Sequence, residues 1–240
     1  MRFIIAVITL VCAQYSWSMT PFHQHVYSTA QAVSAFYMYE LSEGDDKYLD
    51  QFKQHQLTAS RALNNSTSLE QKLFLEEWQN FQPYWKFNFV KGVGLNLDSV
   101  VRGDVRRYLT DVYLYAEKLP AHQSVVASKL QSINIITAML SARLIDVVAA
   151  QSGSRIFTEH ELQVNEVKLA ATVQRHIDEL LKLDLPKDQV AKIRKVNTKF
   201  SFVKKSLINY DDITPYFLVH RNVMTIGDLL KGTSQTIAGS

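Results

Sequence analysis

The chain has 240 residues, of which 47% are hydrophobic and 20% charged, and its formal net charge is +3. Such a small charge, with lysines and arginines scattered along the chain, argues against nucleic acid as a partner. Only 8 glycines and 5 prolines occur. Long helices joined by a few loops therefore fit the sequence better than a many-stranded sheet.

The first 18 residues predict a secretory signal peptide. Arg2 is basic, residues 3–13 are apolar, and Ser16-Trp17-Ser18 has the small-x-small pattern of a cleavage site before Met19. A membrane anchor is the alternative, but an apolar run of about eleven residues is shorter than the roughly 20 that span a bilayer. The mature protein is therefore expected to be periplasmic or secreted.

Cys12 is the single cysteine and lies within this leader. Its removal would exclude disulfides, thiol catalysis and thiolate metal sites from the mature chain. Whether Cys12 is lipidated stays open. No later segment is expected to be long and apolar enough to span a membrane.

Predicted caps and turns divide residues 19–120 into four predicted helices. Apolar residues recur at three- and four-residue spacing, so each helix is expected to bury one stripe. The predicted N-caps, in chain order, are Thr20, Asp45, Thr67 and Asp98.

Residues 121–240 show the same order of signals. A long, strongly apolar helix starts near Ala121, and Thr158 with Glu161 forms a capping box for the next one. A third helix starts at Asp188, and Thr214-Pro215 opens the last.

A short repeated segment, called the echo below, suggests that the two regions are copies of one helical unit. Lys-Phe-Asn-Phe-Val-Lys at residues 86–91 returns as Lys-Phe-Ser-Phe-Val-Lys at residues 199–204, and the caps Asp45 and Thr158 have the same 113-residue offset. The sequence thus predicts an all-α fold of tandem antiparallel four-helix bundles, about eight helices in all, made by internal duplication. The predicted divisions are a leader 1–18, a first unit 19–120 and a second unit 121–240. Residues 87, 89, 200 and 202, all phenylalanines, are expected to be buried alike.

No motif for catalysis or metal binding is present in the sequence. It has no Glu-x-x-His pair, no His-x-x-x-His, no Gly-x-Ser-x-Gly and no glycine-rich phosphate loop. We therefore expect no catalytic role, no cofactor and no metal. An enzyme without a recognisable motif stays a third interpretation.

Aromatic and histidine side chains have two interpretations each. Trp78, Phe81, Trp85 and Phe89 follow one helix face and could line a cavity for a planar ligand, but a core of large side chains is favoured. His176 and His220 lie beside core stripes, where a buried, hydrogen-bonded imidazole is favoured over a ligand-binding one.

Residues 139–143, Met-Leu-Ser-Ala-Arg, with Ile133-Asn134 before them, carry a family resemblance. They resemble the Arg-Met-Leu-Ser-x-Arg helix in periplasmic sensor domains of the type IV pilus chemoreceptor and the nitrate-sensing histidine kinases. The resemblance implies four-helix bundles and a binding role near Ser141 and Arg143. The Gly-Arg-x-Arg that the family has before this stretch is replaced by Ile-Ile-Thr-Ala at residues 135–138.

The candidate ligand- or partner-binding residues are Arg143, Ser141 and Arg107. Arg143 lies close to an apolar stripe, so its guanidinium needs an acceptor. The structural answer is an ion pair with Asp178 or Glu179, and the functional answer is an anionic ligand or a carboxylate of a partner protein. Residues 102, 106 and 107 are arginines on one helix, for which surface pairing is expected and an anion is the alternative.

The predicted function is an exported, non-enzymatic, sensor-like helical module. It would bind a protein of the cell envelope or a small anionic ligand in the periplasm, without nucleic acid and without spanning the membrane. The alternative is a structural or scaffold protein of the envelope that has no ligand.

Overall fold

Eight α-helices, one short 3₁₀ turn at Glu161–Gln163 and no strand make up the described part of the chain. The computed structural model describes residues 19–66, 68–81, 85, 99–120, 124–150, 157–212 and 214–237. The all-α prediction is confirmed. The predicted leader, the Thr67 cap and the first copy of the echo lie outside these residues. The helices are α1 (Pro21–Leu41), α2 (Asp46–Asn64), α3 (Leu69–Phe81), α4 (Ser99–Ala116), α5 (Val125–Ala149), α6 (Glu166–Leu180), α7 (Lys187–Ile208) and α8 (Tyr216–Ile237).

Local capping fixes the start of α1 at the predicted cap Thr20 and ends the helix before the predicted cap Asp45. The Thr20 hydroxyl accepts a hydrogen bond from the backbone N–H of His23, and proline stands in the first turn. At the other end Glu43 has a φ of 56°, and the Gly44 N–H donates to the Tyr39 carbonyl at 2.9 Å. This left-handed cap turns the chain into α2, which Asp45 caps as predicted.

Helices α1 and α5 form the centre of the molecule and pack against each other. Helix α1 also contacts α2 and α4, whereas α5 contacts α6, α7 and α8. Most side chains of both helices are buried, 17 of 21 in α1 and 19 of 25 in α5, including polar ones such as His25, Gln31 and Asn134. The expectation of one apolar stripe per helix is therefore wrong for α1 and α5, because neighbours cover them on all sides.

One hydrophobic core runs through both parts of the chain. We call α1–α4 the first half and α5–α8 the second half. The contacts between helices are consistent with tandem four-helix units. The C-terminal helix also reaches across the division, since the Tyr216 hydroxyl donates to the Leu41 carbonyl at 3.2 Å. The boundary at residue 120 and the duplication itself stay predictions.

The start of α6 differs from the prediction. The capping box exists, because the Thr158 N–H donates to the Glu161 carboxylate at 2.7 Å and the Glu161 N–H donates to the Thr158 hydroxyl at 3.3 Å. It opens the 3₁₀ turn instead of a long helix. The backbone is extended at Val164, and Asn165 then caps α6 by accepting from the Lys168 N–H. The 113-residue offset between caps of equivalent helices is therefore not observed.

The second copy of the echo lies on α7, and its two phenylalanines have unlike environments. Phe200 is completely buried, whereas Phe202 is 53% exposed. Two residues along an α-helix are separated by about 200° around its axis. The prediction that both would be buried assumed alternation typical of a strand and is wrong for Phe202. Phe87 and Phe89 lie outside the described residues.

By length and composition, α5 could cross a membrane. The expectation that no later segment has this property is therefore wrong. In the structure, 89% of its most apolar window is buried inside the protein. Its position as a core helix accounts for its composition.

Candidate functional site

Two places in the fold collect buried polar side chains: a cluster of arginines and carboxylates, and a pocket between the two halves. The first begins on α4, where Arg102 and Arg106 point to Asp146 of α5. Arg102 lies 3.4 Å from one oxygen of Asp146, and Arg106 Nε lies 3.1 Å from the other. Arg102 also pairs with Glu40 of α1 at 2.7 Å. The two contacts with Asp146 join the first half to the second.

Arg143, one turn before Asp146 on α5, extends this cluster. Its guanidinium lies 2.6 Å from the carboxylate of Glu166, at the start of α6, and donates to the Glu161 carbonyl at 3.2 Å. The Tyr210 hydroxyl donates to the same carboxylate at 2.8 Å. The aromatic ring of Phe157 covers the guanidinium at 4.2 Å.

The predicted ion-pair partners of Arg143, Asp178 and Glu179, are wrong. Glu179 pairs with Lys129, and Asp178 accepts a hydrogen bond from Gln174. Both carboxylates lie near the C-terminal end of α6, whereas Arg143 is placed beside the first turn of that helix. The start of α6 at Glu166 brings the acceptor to it.

We call Arg102, Arg106, Arg143, Glu40, Asp146 and Glu166 the arginine cluster. It has three cationic and three carboxylate side chains. The cavity beside it, lined by Arg106, Arg143 and Asp146, measures only about 10 Å³, room for about one water. Burial raises the pKa of Asp146 although Arg106 and Arg102 act in the opposite direction. An anionic ligand at Arg143 stays a prediction and would have to displace Glu166.

The other two candidate residues lie apart from Arg143. Ser141 is buried two positions earlier on α5, about 200° around the helix. Arg107 is 56% exposed and pairs with Glu77 and Asp104 at 3.7 and 3.2 Å. Arg107 thus pairs at the surface as expected, although at three-residue instead of four-residue spacing on its helix, whereas surface pairing is wrong for the buried Arg102 and the largely buried Arg106.

The second place is a pocket of about 150 Å³ near the opposite end of α5. We call it the inter-half pocket, because α1 and α4 form one wall and α5 and α6 the other. Its lining residues are His23, Ala116, Glu117, Leu119, Ser128, Gln131, Ser132, Ile135, Ile136 and His176.

Gln131 is the unusual side chain of this pocket. It is 5% exposed, and its Oε1 atom has no hydrogen-bond donor among the described residues. A buried acceptor left without a donor destabilises a protein by about 1–3 kcal/mol. Gln131 is a lining residue of the pocket, so a ligand whose donor reached this oxygen would complete its hydrogen bonding.

The two histidines of the pocket are neutral at pH 7. Burial lowers the pKa of His23, and a hydrogen bond to the Ala116 backbone opposes the shift. Burial also lowers the pKa of His176. His23 Nδ1 faces the Thr20 hydroxyl at 2.5 Å, and His176 Nδ1 faces Glu179 at 3.5 Å. His176 Nε2 is therefore the imidazole nitrogen left to accept from a ligand.

The aromatic side chains of the first half fill the core. Trp78 is 1% exposed and donates to the Ser60 hydroxyl at 2.8 Å. Trp85 packs edge-on against Phe36, and Phe81 against Tyr108. The core interpretation is confirmed for Trp78, Phe81 and Trp85, whereas Phe89 lies outside the described residues.

His220 is buried as expected, with Nε2 placed 3.4 Å from the Gln51 amide oxygen. Burial lowers its pKa to about 4. Among the residues that the structure describes, no group of three histidine, cysteine or carboxylate side chains is arranged to hold a metal ion.

No protein-family model matches the chain, and no curated protein or solved structure is significantly similar to it. The resemblance of residues 139–143 to periplasmic sensor domains therefore stays a prediction.

The sequence did not single out the inter-half pocket. Gln131 is one of several polar residues within α5, and nothing in the sequence distinguishes it from Asn134 or Thr137 on the same helix. Its neighbours His23 and His176 come from helices far apart in the chain. Only the packing of α1 against α5 brings them together.

Proposed function

We propose that this protein is an exported, sensor-like helical module that binds a small ligand between its two halves and reports to a protein partner in the cell envelope. The observation that carries the proposal is the inter-half pocket. The pocket has enough room for a small molecule. One of its lining residues, Gln131, has a buried acceptor atom, Oε1, without a hydrogen-bond donor. No catalytic role is part of the proposal.

The position of the pocket supports a sensing role. Its walls come from α1 and α4 on one side and α5 and α6 on the other. A ligand that touches both walls binds best to one packing of the two halves, and so shifts the population toward that packing. A partner that contacts both halves can detect this change.

A structural protein of the envelope without a ligand is the second candidate. The arginine cluster favours it, because every one of its arginines is already paired within the chain. On that interpretation the buried charges only fix how the helices pack.

Affinity capture from the native envelope tests the proposal. Tagged wild-type protein is compared with Ser132→Leu, which narrows the pocket, and with Ser201→Leu, which adds the same side chain at an exposed position on α7. Proteins retained by each variant are identified by mass spectrometry.

We expect the wild type and Ser201→Leu to retain the same envelope protein, and Ser132→Leu to recover at least tenfold less of it. Equal recovery by all three would mean that partner binding does not depend on the pocket. The scaffold interpretation would then replace the proposed one.

A further inference from the structure

We infer that the inter-half pocket binds a small primary ammonium ion of about five or six non-hydrogen atoms. The inference rests on the proposed function and names the ligand class for the same pocket. It follows from the hydrogen-bonding groups, the charge and the size of the cavity.

The lining offers hydrogen-bond acceptors. Gln131 Oε1 is a buried carbonyl oxygen without a donor, and His176 Nε2 is an unprotonated nitrogen at neutral pH. The hydroxyls of Ser128 and Ser132 can accept as well. An ammonium group has three donors and no acceptor, and so complements this set.

The charge of the lining also favours a cation. Glu117 is the single acidic side chain among the lining residues, and neither lysine nor arginine is one of them. Lys129 lies near His176, but its ammonium group pairs with Glu179. A carboxylate ligand would meet Glu117 and Gln131 Oε1 without a cationic partner.

The remaining lining is apolar and sets the size. Ile135, Ile136 and Leu119 provide surface for a short hydrocarbon chain. A cavity of about 150 Å³ holds a molecule of about six non-hydrogen atoms, such as benzene. A short alkylammonium ion fits the volume of the cavity, and its ammonium group complements the acceptors of the polar lining residues.

Isothermal titration calorimetry at pH 7.5 tests the ligand class with three probes of matched length: n-butylammonium, butan-1-ol and butyrate. We expect saturable binding of n-butylammonium, binding of butan-1-ol at least tenfold weaker, and no detectable binding of butyrate. Butyrate binding as tightly as n-butylammonium, or no binding of any probe, would overturn the inference.

Gln131→Met separates binding from folding. Methionine is close in length but carries no amide, so we expect the melting temperature of the ligand-free protein to rise by about 2–4 °C. The affinity for n-butylammonium should fall at least tenfold. Unchanged affinity in this variant would contradict the assigned role of Gln131.

Gln189→Met is the matched control. Gln189 on α7 is also buried, and both its amide atoms lack partners among the described residues, but it does not line the pocket. We expect a similar rise in melting temperature with unchanged affinity. Loss of affinity in this control would show that the Gln131→Met effect is not local.

The titration and the affinity capture test separate claims, so a negative result of each has a different meaning. If no probe binds but Ser132→Leu still loses the envelope partner, the ammonium class is wrong and the proposed function stands. If Ser132→Leu keeps the partner at the wild-type level, the proposed function is wrong whatever the probes show.

Discussion

Arg143 and Arg107 were singled out together from the sequence, but their surroundings differ. Arg143 is 4% exposed and pairs with the partly buried Glu166, whereas Arg107 is 56% exposed and pairs at the surface. Truncation of a buried ion-pair partner destabilises a protein by about 3–5 kcal/mol, because the other charge is left uncompensated. An exposed pair contributes about 0–1 kcal/mol.

We therefore expect Arg143→Met to lower the free energy of unfolding by about 3 kcal/mol, and Arg107→Met by less than about 1 kcal/mol. Urea unfolding of the two variants checks this. If Arg143→Met unfolds like the wild type and no longer retains the proposed envelope partner, Arg143 belongs to a binding site instead.

His25 makes stability dependent on pH. Its Nδ1 faces the Ala59 carbonyl at 2.9 Å, which can only accept, so the ring proton lies on Nδ1. Burial lowers the pKa of His25 from 6.5 to about 4. The folded protein thus holds the neutral ring, while the unfolded chain protonates it below about pH 6.5.

The stabilising contribution of His25 is consequently complete above about pH 6.5 and is lost as the pH falls toward 4. We expect the difference in unfolding free energy between wild type and His25→Asn to shrink by about 1.4 kcal/mol per pH unit in this range. Urea unfolding at pH 7.5, 6.5, 5.5 and 4.5 measures it. A difference independent of pH would contradict the buried neutral histidine.

The sequence could place Arg143 beside the core, but it could not name its partner. Proximity to Leu140 and Leu144 on a helical stripe was sufficient to place Arg143 beside the core. The partner depends on where α6 starts and on which turn of it faces α5, and both are properties of the packed structure.

Two helical glycines show where elements approach closely. A methyl group added at Gly227 of α8 would lie 2.6 Å from the Tyr27 hydroxyl of α1, whereas one added at Gly103 of α4 would meet nothing within 4 Å. Alanine is the better helix former by about 0.5–1 kcal/mol. Overpacking a core costs about 1–3 kcal/mol.

We expect Gly103→Ala to stabilise the protein by about 0.5–1 kcal/mol, and Gly227→Ala to destabilise it by about 1–2 kcal/mol. Thermal and urea unfolding of both variants measure the effects. A stabilised Gly227→Ala would mean that α8 does not pack closely against α1.

At the level of elements, the caps were predictable where side chain and backbone lie close in sequence. Thr20 and Asp45 cap helices as expected, because each hydrogen bond spans two or three residues. Thr158 shows the limit of this reasoning. Its capping box forms, but the better cap Asn165 and the extended Val164 decide where the long helix begins.

The whole molecule is expected to unfold in one step. Helices α1 and α5 bury each other's faces, and Asp146 of the second half pairs with Arg102 and Arg106 of the first. Separation of the halves would expose both the shared core and these charges.

The positions of the tryptophans allow a direct check. Trp17 lies in the predicted leader, and Trp78 and Trp85 lie in the first half. In a protein produced without the predicted leader, tryptophan fluorescence therefore reports the first half, whereas far-ultraviolet circular dichroism reports helices in both halves. We expect the two urea midpoints to coincide. Separate midpoints would show two independent domains.

The helical content and the number of helices followed from the sequence, because apolar spacing and caps are local. The central position of α1 did not, because the spacing of its apolar residues predicted a single buried stripe, whereas polar residues such as His25, Ser28 and Gln31 are buried as well. The inter-half pocket could likewise not be predicted from the sequence. It exists only because four helices from distant parts of the chain leave a space between them.

Native mass spectrometry of the protein isolated from its native cells is the most direct test of a ligand between the halves. We expect the wild type and Ser201→Leu to carry the same additional small mass, and Ser132→Leu to have the mass of the polypeptide alone. A wild-type protein without an added mass, or an added mass that Ser132→Leu retains, would contradict the binding role of the inter-half pocket.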